Sequence, residues 1–333
     1  MEISTLSRKI LRDLCMDSRV SVTELAERYG ITRKMVKSRI DALERELGLK
    51  YTLELNYEKL GFMPMYIARV KFSKSAKDAN PQRWLASSKP VQLAVVTKGD
   101  FDVLVFVLVM KPNEYFKWEM SLFDALAKCG VKIKSSQVTV AHLGFIPIKS
   151  ESIMASNTND VYRRILTTLN ENSRITWREL GNHIGISSEL TKYYLRKLDK
   201  TGLIKRYTAV ATRPTMRYSI AYFVNYTVRE NILSRVSNER RTMYWNEPKE
   251  FPVLSEFQMM LSTTGSDMSF TWAVYDDYDE GLKRSVITHK RIYKIDSPED
   301  RHATVEKVIA GMAPFRNMDQ KESYDATLGE SAV

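Results

Sequence analysis

The sequence predicts an α+β fold, and three observations carry that prediction. Residues 10–43 and 165–198 align without a gap at a constant offset of 155, and eleven of the 34 pairs are identical. Both segments place apolar residues at helical spacing, whereas the stretches that follow alternate apolar and polar residues as half-buried strands do. Turn chemistry also recurs at corresponding places, in Thr97-Lys98-Gly99-Asp100-Phe101 and Thr264-Gly265-Ser266-Asp267, each between two apolar runs. One unit encoded twice accounts for all three.

In the first copy, Leu6 to Met16 is predicted as a helix with Ile10, Leu11 and Leu14 on one stripe. Ser21 opens a second helix, and Glu24 three residues later has capping-box spacing. Leu25, Ala26 and Tyr29 give its inner face. Gly30 follows where the chain must turn and a positive φ is easiest for glycine. Thr32 caps a third helix whose inner face is Val36, Ile40 and Leu43. The second copy repeats this with Thr176 and Glu179 as the box, Gly185 as the turn, Ser187 as the cap, and Leu195 and Leu198 inside. A small residue in the second helix (Ala26 or Gly181), a turn glycine and a capped third helix make the helix-turn-helix pattern. The basic, β-prone segments Leu49–Leu53 and Ile204–Ala209 read as wings.

With the inner stripe buried, the third helix of the first copy turns Thr32, Arg33, Lys34, Lys37 and Ser38 outward, and Lys50 lies on its wing. The second copy offers Ser188, Glu189, Lys192, Tyr193, Arg196 and Lys197, with Lys205 and Arg206 on the wing. Such side chains suit phosphates and base edges in a major groove, which admits one helix. Apart from Glu189 and Lys197, these are the candidate DNA-binding residues. Glu189 stands where the first copy has Lys34 and repels phosphate, so the first unit is expected to bind more strongly. Any amphipathic surface helix has a charged outer face; the cap, glycine and wing, found twice, favour the DNA reading.

Between the copies, Pro64–Phe72, Val91–Val96 and Asp102–Val109 read as strands and Pro81–Ser87 as a short helix. Pro112–Cys129 reads as a helix with Phe116, Met120, Phe123 and Leu126 inside, and Val131–Val140 and Leu143–Ile148 as the last strands. That order, β-α-β-β-α-β, is ferredoxin-like. After the second copy the same order recurs: strands at Tyr218–Val228, Phe257–Thr263, Ser269–Tyr275 and Val305–Ile309, helices at Arg235–Trp245 and Tyr278–Ile292. The polar segment Ser150–Asn159 reads as a linker. The expected domains are residues 1–60 and 158–212 as winged units, 61–149 and 213–318 as ferredoxin-like domains, and 319–333 as a tail.

Apolar residues make up 44% of the 333 and charged residues 27%, a globular composition, and the formal net charge of +11 favours phosphate-rich partners. Cys15 and Cys129 form no CxxC pair and read as small buried hydrophobes of a reducing cytosol. His142, His183, His289 and His302 lack metal-ligand spacing. The longest apolar run, Val103–Met110, suits a buried strand and not a membrane span, and the start of the chain has no secretory h-region. The expectation is therefore a cytoplasmic protein without metal or cofactor.

Ser18-Arg19-Val20-Ser21, Glu24-Leu25-Ala26, Gly30-Ile31-Thr32, Val36, Arg39-Ile40 and Leu43-Glu44 resemble the signature run of the Lrp/AsnC family of transcription regulators, here in a tandemly duplicated, archaeal-like form. Gly99-Asp100-Phe101-Asp102 resembles that family's Gly-x-Tyr/Phe-Asp turn. The resemblance implies pairing through the α+β domains, as a homodimer or an intramolecular pseudo-dimer. It also implies an amino-acid-like effector near Gly99, Asp100 and Asp102 and, by repeat position, near Gly265 and Asp267. Turn chemistry alone explains Gly99 and Asp102 equally well.

Two other functions compete. Siroheme decarboxylases share this two-part architecture and need His and Arg around a tetrapyrrole. The four scattered histidines form no cluster and no nucleophile–base motif appears, so no enzymatic activity is expected. A protein-interaction adaptor is the other reading, with Trp245, Trp272, Tyr275 and Tyr278 as a candidate interface, although ordinary aromatic core and rim is favoured.

Overall fold

The computed structural model describes residues 4–73, 81–143, 146–212, 218–225, 257–265, 269–275, 279, 283 and 299–311. In chain order the described elements are α1 (Thr5–Met16), α2 (Val22–Tyr29), α3 (Arg33–Leu47), β1 (Lys50–Leu55), β2 (Met65–Phe72), α4 (Pro81–Ser87), β3 (Val91–Gly99), β4 (Val103–Val107), α5 (Pro112–Lys128) and β5 (Ile133–Leu143). Then follow α6 (Ser150–Ala155), α7 (Asp160–Glu171), α8 (Trp177–Ile184), α9 (Ser188–Thr201), β6 (Ile204–Val210), β7 (Tyr218–Asn225), β8 (Phe257–Gly265), β9 (Ser269–Tyr275) and β10 (Glu299–Ala310). The helices expected at 235–245 and nearly all of 278–292 lie outside the described residues.

Local chemistry sets the helix ends in both heads. The Ser21 hydroxyl accepts the Glu24 N–H at 3.0 Å, and α2 stops at Gly30 with φ +62°. Thr176 and Glu179 make the reciprocal box at the start of α8, and Gly185 ends it with φ +73°. In the first head the box is half made, because the Glu24 carboxylate turns to Arg28 at 3.0 Å. Ile10, Leu11, Leu14, Leu25, Val36, Ile40 and Leu43 are buried in one core with their counterparts Ile165, Leu166, Leu169, Leu180 and Leu198. A Cβ added at Gly181 would lie 2.6 Å from Thr191 Oγ1 and 2.9 Å from the Ile186 carbonyl. Gly181→Val is therefore expected to lower stability by about 1–3 kcal/mol through overpacking, read as a fall in melting temperature.

The predicted wings do something else. β1 and β6 pair antiparallel with each other, with Thr52 opposite Thr208, so each strand joins its head to the other head. Matching contacts flank this ribbon on both sides. The Ser18 N–H donates to the Tyr207 carbonyl (3.0 Å) and the Ser173 N–H to the Tyr51 carbonyl (3.1 Å). Arg19 stacks over Tyr207, 3.9 Å from the ring centre, and Arg174 over Tyr51 at 5.0 Å. The Ser18 and Ser173 hydroxyls, fully buried, meet each other at 2.6 Å, so neither is left unsatisfied. These interactions describe a pseudo-two-fold axis between the heads.

The α+β halves merge as well. Strand order is β3-β4-β2-β5 in the first half and β8-β9-β7-β10 in the second, and pairing of β3 with β10 and β5 with β8 closes one eight-stranded barrel. The first half keeps the order 4-1-3-2 of a ferredoxin-like sheet. Arg301 of β10 donates to Gln137 of β5, two strands on opposite sides of the ring, so both side chains point into the barrel.

Four expectations are corrected here. α5 buries Tyr115, Trp118, Leu122 and Leu126 against the sheet, with the Tyr115 ring stacked 4.3 Å from Tyr66, while Phe116 and Met120 are exposed. The last strand of the first half ends at Leu143; Ile146 and Ile148 are buried without regular structure, and Tyr57 bonds the Ile146 backbone. The start of the predicted linker is the helix α6, which packs on α7. Cys15 is buried as expected, but Cys129 is exposed at the end of α5. Trp272 is core, in line with the favoured reading of the aromatic residues.

Candidate nucleic-acid interface

Burial of Val36, Ile40, Leu43 and Leu47 fixes which way α3 faces. At about 100° per residue, Lys34, Ser38 and Asp41 point the opposite way, with Lys37 beside them. Thr32, Arg33, Lys34, Lys37 and Ser38 are all exposed, and the Thr32 hydroxyl holds the helix start by accepting the Met35 N–H at 3.2 Å. The structure thus brings these five residues together on the first two turns. The helix pair beneath is braced by Asp13, nearly buried, which accepts from the Tyr29 hydroxyl (2.6 Å) and pairs with Arg28 (2.8 Å). Burial first, and then that carboxylate, push the Tyr29 hydroxyl well above the ordinary phenol range.

The second head arranges its charges differently. Ser188 is half-buried, and Tyr193 and Arg196 are exposed on α9. The Lys192 ammonium does not reach outward; it sits 3.7 Å from the centre of the Trp177 ring, at the start of α8. Arg196 occupies the repeat position of Asp41, just as Glu189 occupies that of Lys34. The acidic and basic positions of the two outer faces are therefore exchanged along the helix axis.

The ribbon residues separate. Lys50 and Lys205 are exposed towards opposite ends of it. Arg206, a predicted DNA ligand, is instead largely buried, with Nε 3.6 Å from the Glu54 carboxylate of the facing strand. Met35, Leu190 and Trp177, none of them among the predicted site residues, are exposed apolar side chains on the heads. The signal for the first two was present: they are a repeat pair, both apolar, and both off the inner stripe.

Gly99, Asp100 and Asp102 lie at a seam between the halves. The Asp100 N–H donates to the His302 carbonyl (3.0 Å), and the Asp100 carboxylate accepts the His302 N–H (2.9 Å). Asp102 accepts from Lys71 Nζ (2.9 Å) and from the Phe72 N–H (2.7 Å). Gly265 pairs with Thr139 at the corresponding seam, and Asp267 lies outside the described residues. Among the described residues no group of His, Cys, Asp or Glu is placed to hold a metal ion, and no helix is long and apolar enough to cross a membrane.

Comparison with known proteins fits this geometry. A profile of the AsnC-type helix-turn-helix domain matches residues 4–44, and one of winged helix-turn-helix DNA-binding domains matches residues 159–205. An HTH-type transcriptional regulator of Pyrococcus furiosus is 36% identical over 107 residues, 32% of this chain and 71% of that protein. The proline dehydrogenase transcriptional activator of Rhodobacter capsulatus is 32% identical over 119 residues, 34% of this chain and 77% of that protein. Among solved structures, the siroheme decarboxylase NirDL matches with a TM-score of 0.59 at 12% identity, covering 98% of this chain and 99% of that one. This last match corrects the expectation that the chain is no enzyme: an architecture spanning nearly its whole length is one that a decarboxylase uses.

Proposed function

The chain belongs to the Lrp/AsnC family of transcription regulators, and from that premise we propose that it binds double-stranded DNA sequence-specifically, with α3 and α9 each in a major groove. The observation that carries this reading is the pairing of two capped helices by the β1–β6 ribbon, with Arg33, Lys34 and Lys37 exposed on one and Arg196 on the other. Paired reading heads suit two half-sites on one face of a duplex. The single chain supplies both heads, so it works as an intramolecular pseudo-dimer in the cytoplasm. An amino-acid-like effector belongs at the seams carrying Gly99, Asp100, Asp102 and Gly265, where a ligand amine would compete for the Asp100 carboxylate that now holds His302. In a titration of the chain with genomic duplexes across a salt series, log K is expected to fall linearly with log salt, by about 0.9 per neutralised phosphate. Absence of binding at low salt, or a flat response, would overturn the reading.

The whole-length likeness to a siroheme decarboxylase favours a second reading, in which the barrel acts on a tetrapyrrole carboxylate. Arg301 inside the barrel and the buried Arg69 on β2, bonded to Thr139, supply cationic groups there. A shift of the siroheme absorption bands on mixing with the chain, followed by carbon dioxide release, is the expected result; siroheme bands left unshifted remove this reading.

A further inference from the structure

Met35 and Leu190 are 45% and 40% exposed, on the outer sides of α3 and α9. They occupy one position of the repeat, 155 residues apart. The residues around them differ between heads: Arg33 against Ser188, Lys34 against Glu189, Ser38 against Tyr193. The aliphatic character of this one outward position is kept in both. Each is also fixed in register, because its backbone N–H is held by the helix cap: Met35 by Thr32 Oγ1 at 3.2 Å and Leu190 by Ser187 Oγ at 3.2 Å. A single exposed aliphatic residue needs no explanation. The same position left exposed twice, in the first turn of a helix otherwise lined with polar and charged groups, points to a shared apolar contact.

The first residues of a recognition helix are those that meet base edges. In the major groove the apolar feature among the base edges is the C5 methyl of thymine. Cations beside Met35 place the helix through phosphates, which carry no sequence information, and the aliphatic side chain adds it. We propose that Met35 and Leu190 each read the methyl group of one thymine, one in each half-site. This rests on the DNA-binding reading above.

The test uses the full chain and duplexes it recovers from a random-sequence pool. Each thymine in turn is replaced by deoxyuridine, which removes the methyl and leaves base pairing intact. In each half-site one thymine is expected at which the replacement weakens binding about fourfold, the effect of burying one methyl-sized group. Met35→Ala is expected to abolish that sensitivity in one half-site and Leu190→Ala in the other, with helix content by circular dichroism unchanged, while Met35→Leu keeps it. The proposal is overturned if deoxyuridine has no effect at any thymine, if the alanine variants retain full sensitivity, or if recovered sites lack thymine. Failure to recover any duplex would overturn the DNA-binding reading with it, whereas recovered duplexes insensitive to the methyl overturn this inference alone.

Discussion

Replacing Arg33 and Lys37 together with alanine is expected to weaken duplex binding roughly a hundredfold at about 0.1 M salt, without changing the melting temperature. Both side chains are exposed in the first turns of α3, so their loss opens no cavity. Each can serve a phosphate or a base edge, and two lost contacts should also flatten the dependence of log K on log salt by about two units. Fluorescence anisotropy across a salt series reads both quantities at once. A loss smaller than threefold would move the contact surface away from α3. The matching change on α9, Arg196→Ala, removes one outward cation and is expected to cost less.

Gly99→Ala is expected to destabilise the protein by about 2–4 kcal/mol. Gly99 has φ +148°, where side-chain-bearing residues are strained, and an added Cβ would lie 2.6 Å from the His302 carbonyl oxygen and 2.8 Å from Ala303 Cα. Neither neighbour is the free end of a side chain; both are backbone of β10. The clash falls on the seam that joins β3 to β10, beside the reciprocal Asp100–His302 bonds. Urea unfolding should show the midpoint falling. If the midpoint holds while effector binding is lost, Gly99 serves a ligand and not the seam.

The heads were legible because helix capping is local. Ser21, Gly30, Thr32, Thr176, Gly185 and Ser187 act on backbone groups within a few residues, so their identity and spacing suffice. The ribbon was not legible, because Lys50–Leu55 and Ile204–Val210 look the same whether a strand folds back on its own head or crosses to the other. Barrel closure was hidden for the same reason: β3 finds β10 across some two hundred residues with no local signal. On α5 the period was right and the stripe was displaced at its start. Leu126 is buried as expected and Phe123 packs against the core, but Tyr115, Trp118 and Leu122 face the sheet where Phe116 and Met120 were expected, because both sets satisfy helical spacing and only packing on the sheet chooses between them. Arg206 counted as a free cation in the sequence, since the partner that holds it, Glu54, lies on the facing strand.

The exchange of acidic and basic positions between α3 and α9 has a genetic meaning. In a regulator assembled from identical subunits, one codon change alters both readers, and the operator must drift as a palindrome. Here the codons for Lys34 and Glu189, or for Asp41 and Arg196, mutate separately. If α3 and α9 read two half-sites as proposed, those halves can evolve independently, and the bound protein would have a direction along the DNA that a symmetric regulator lacks.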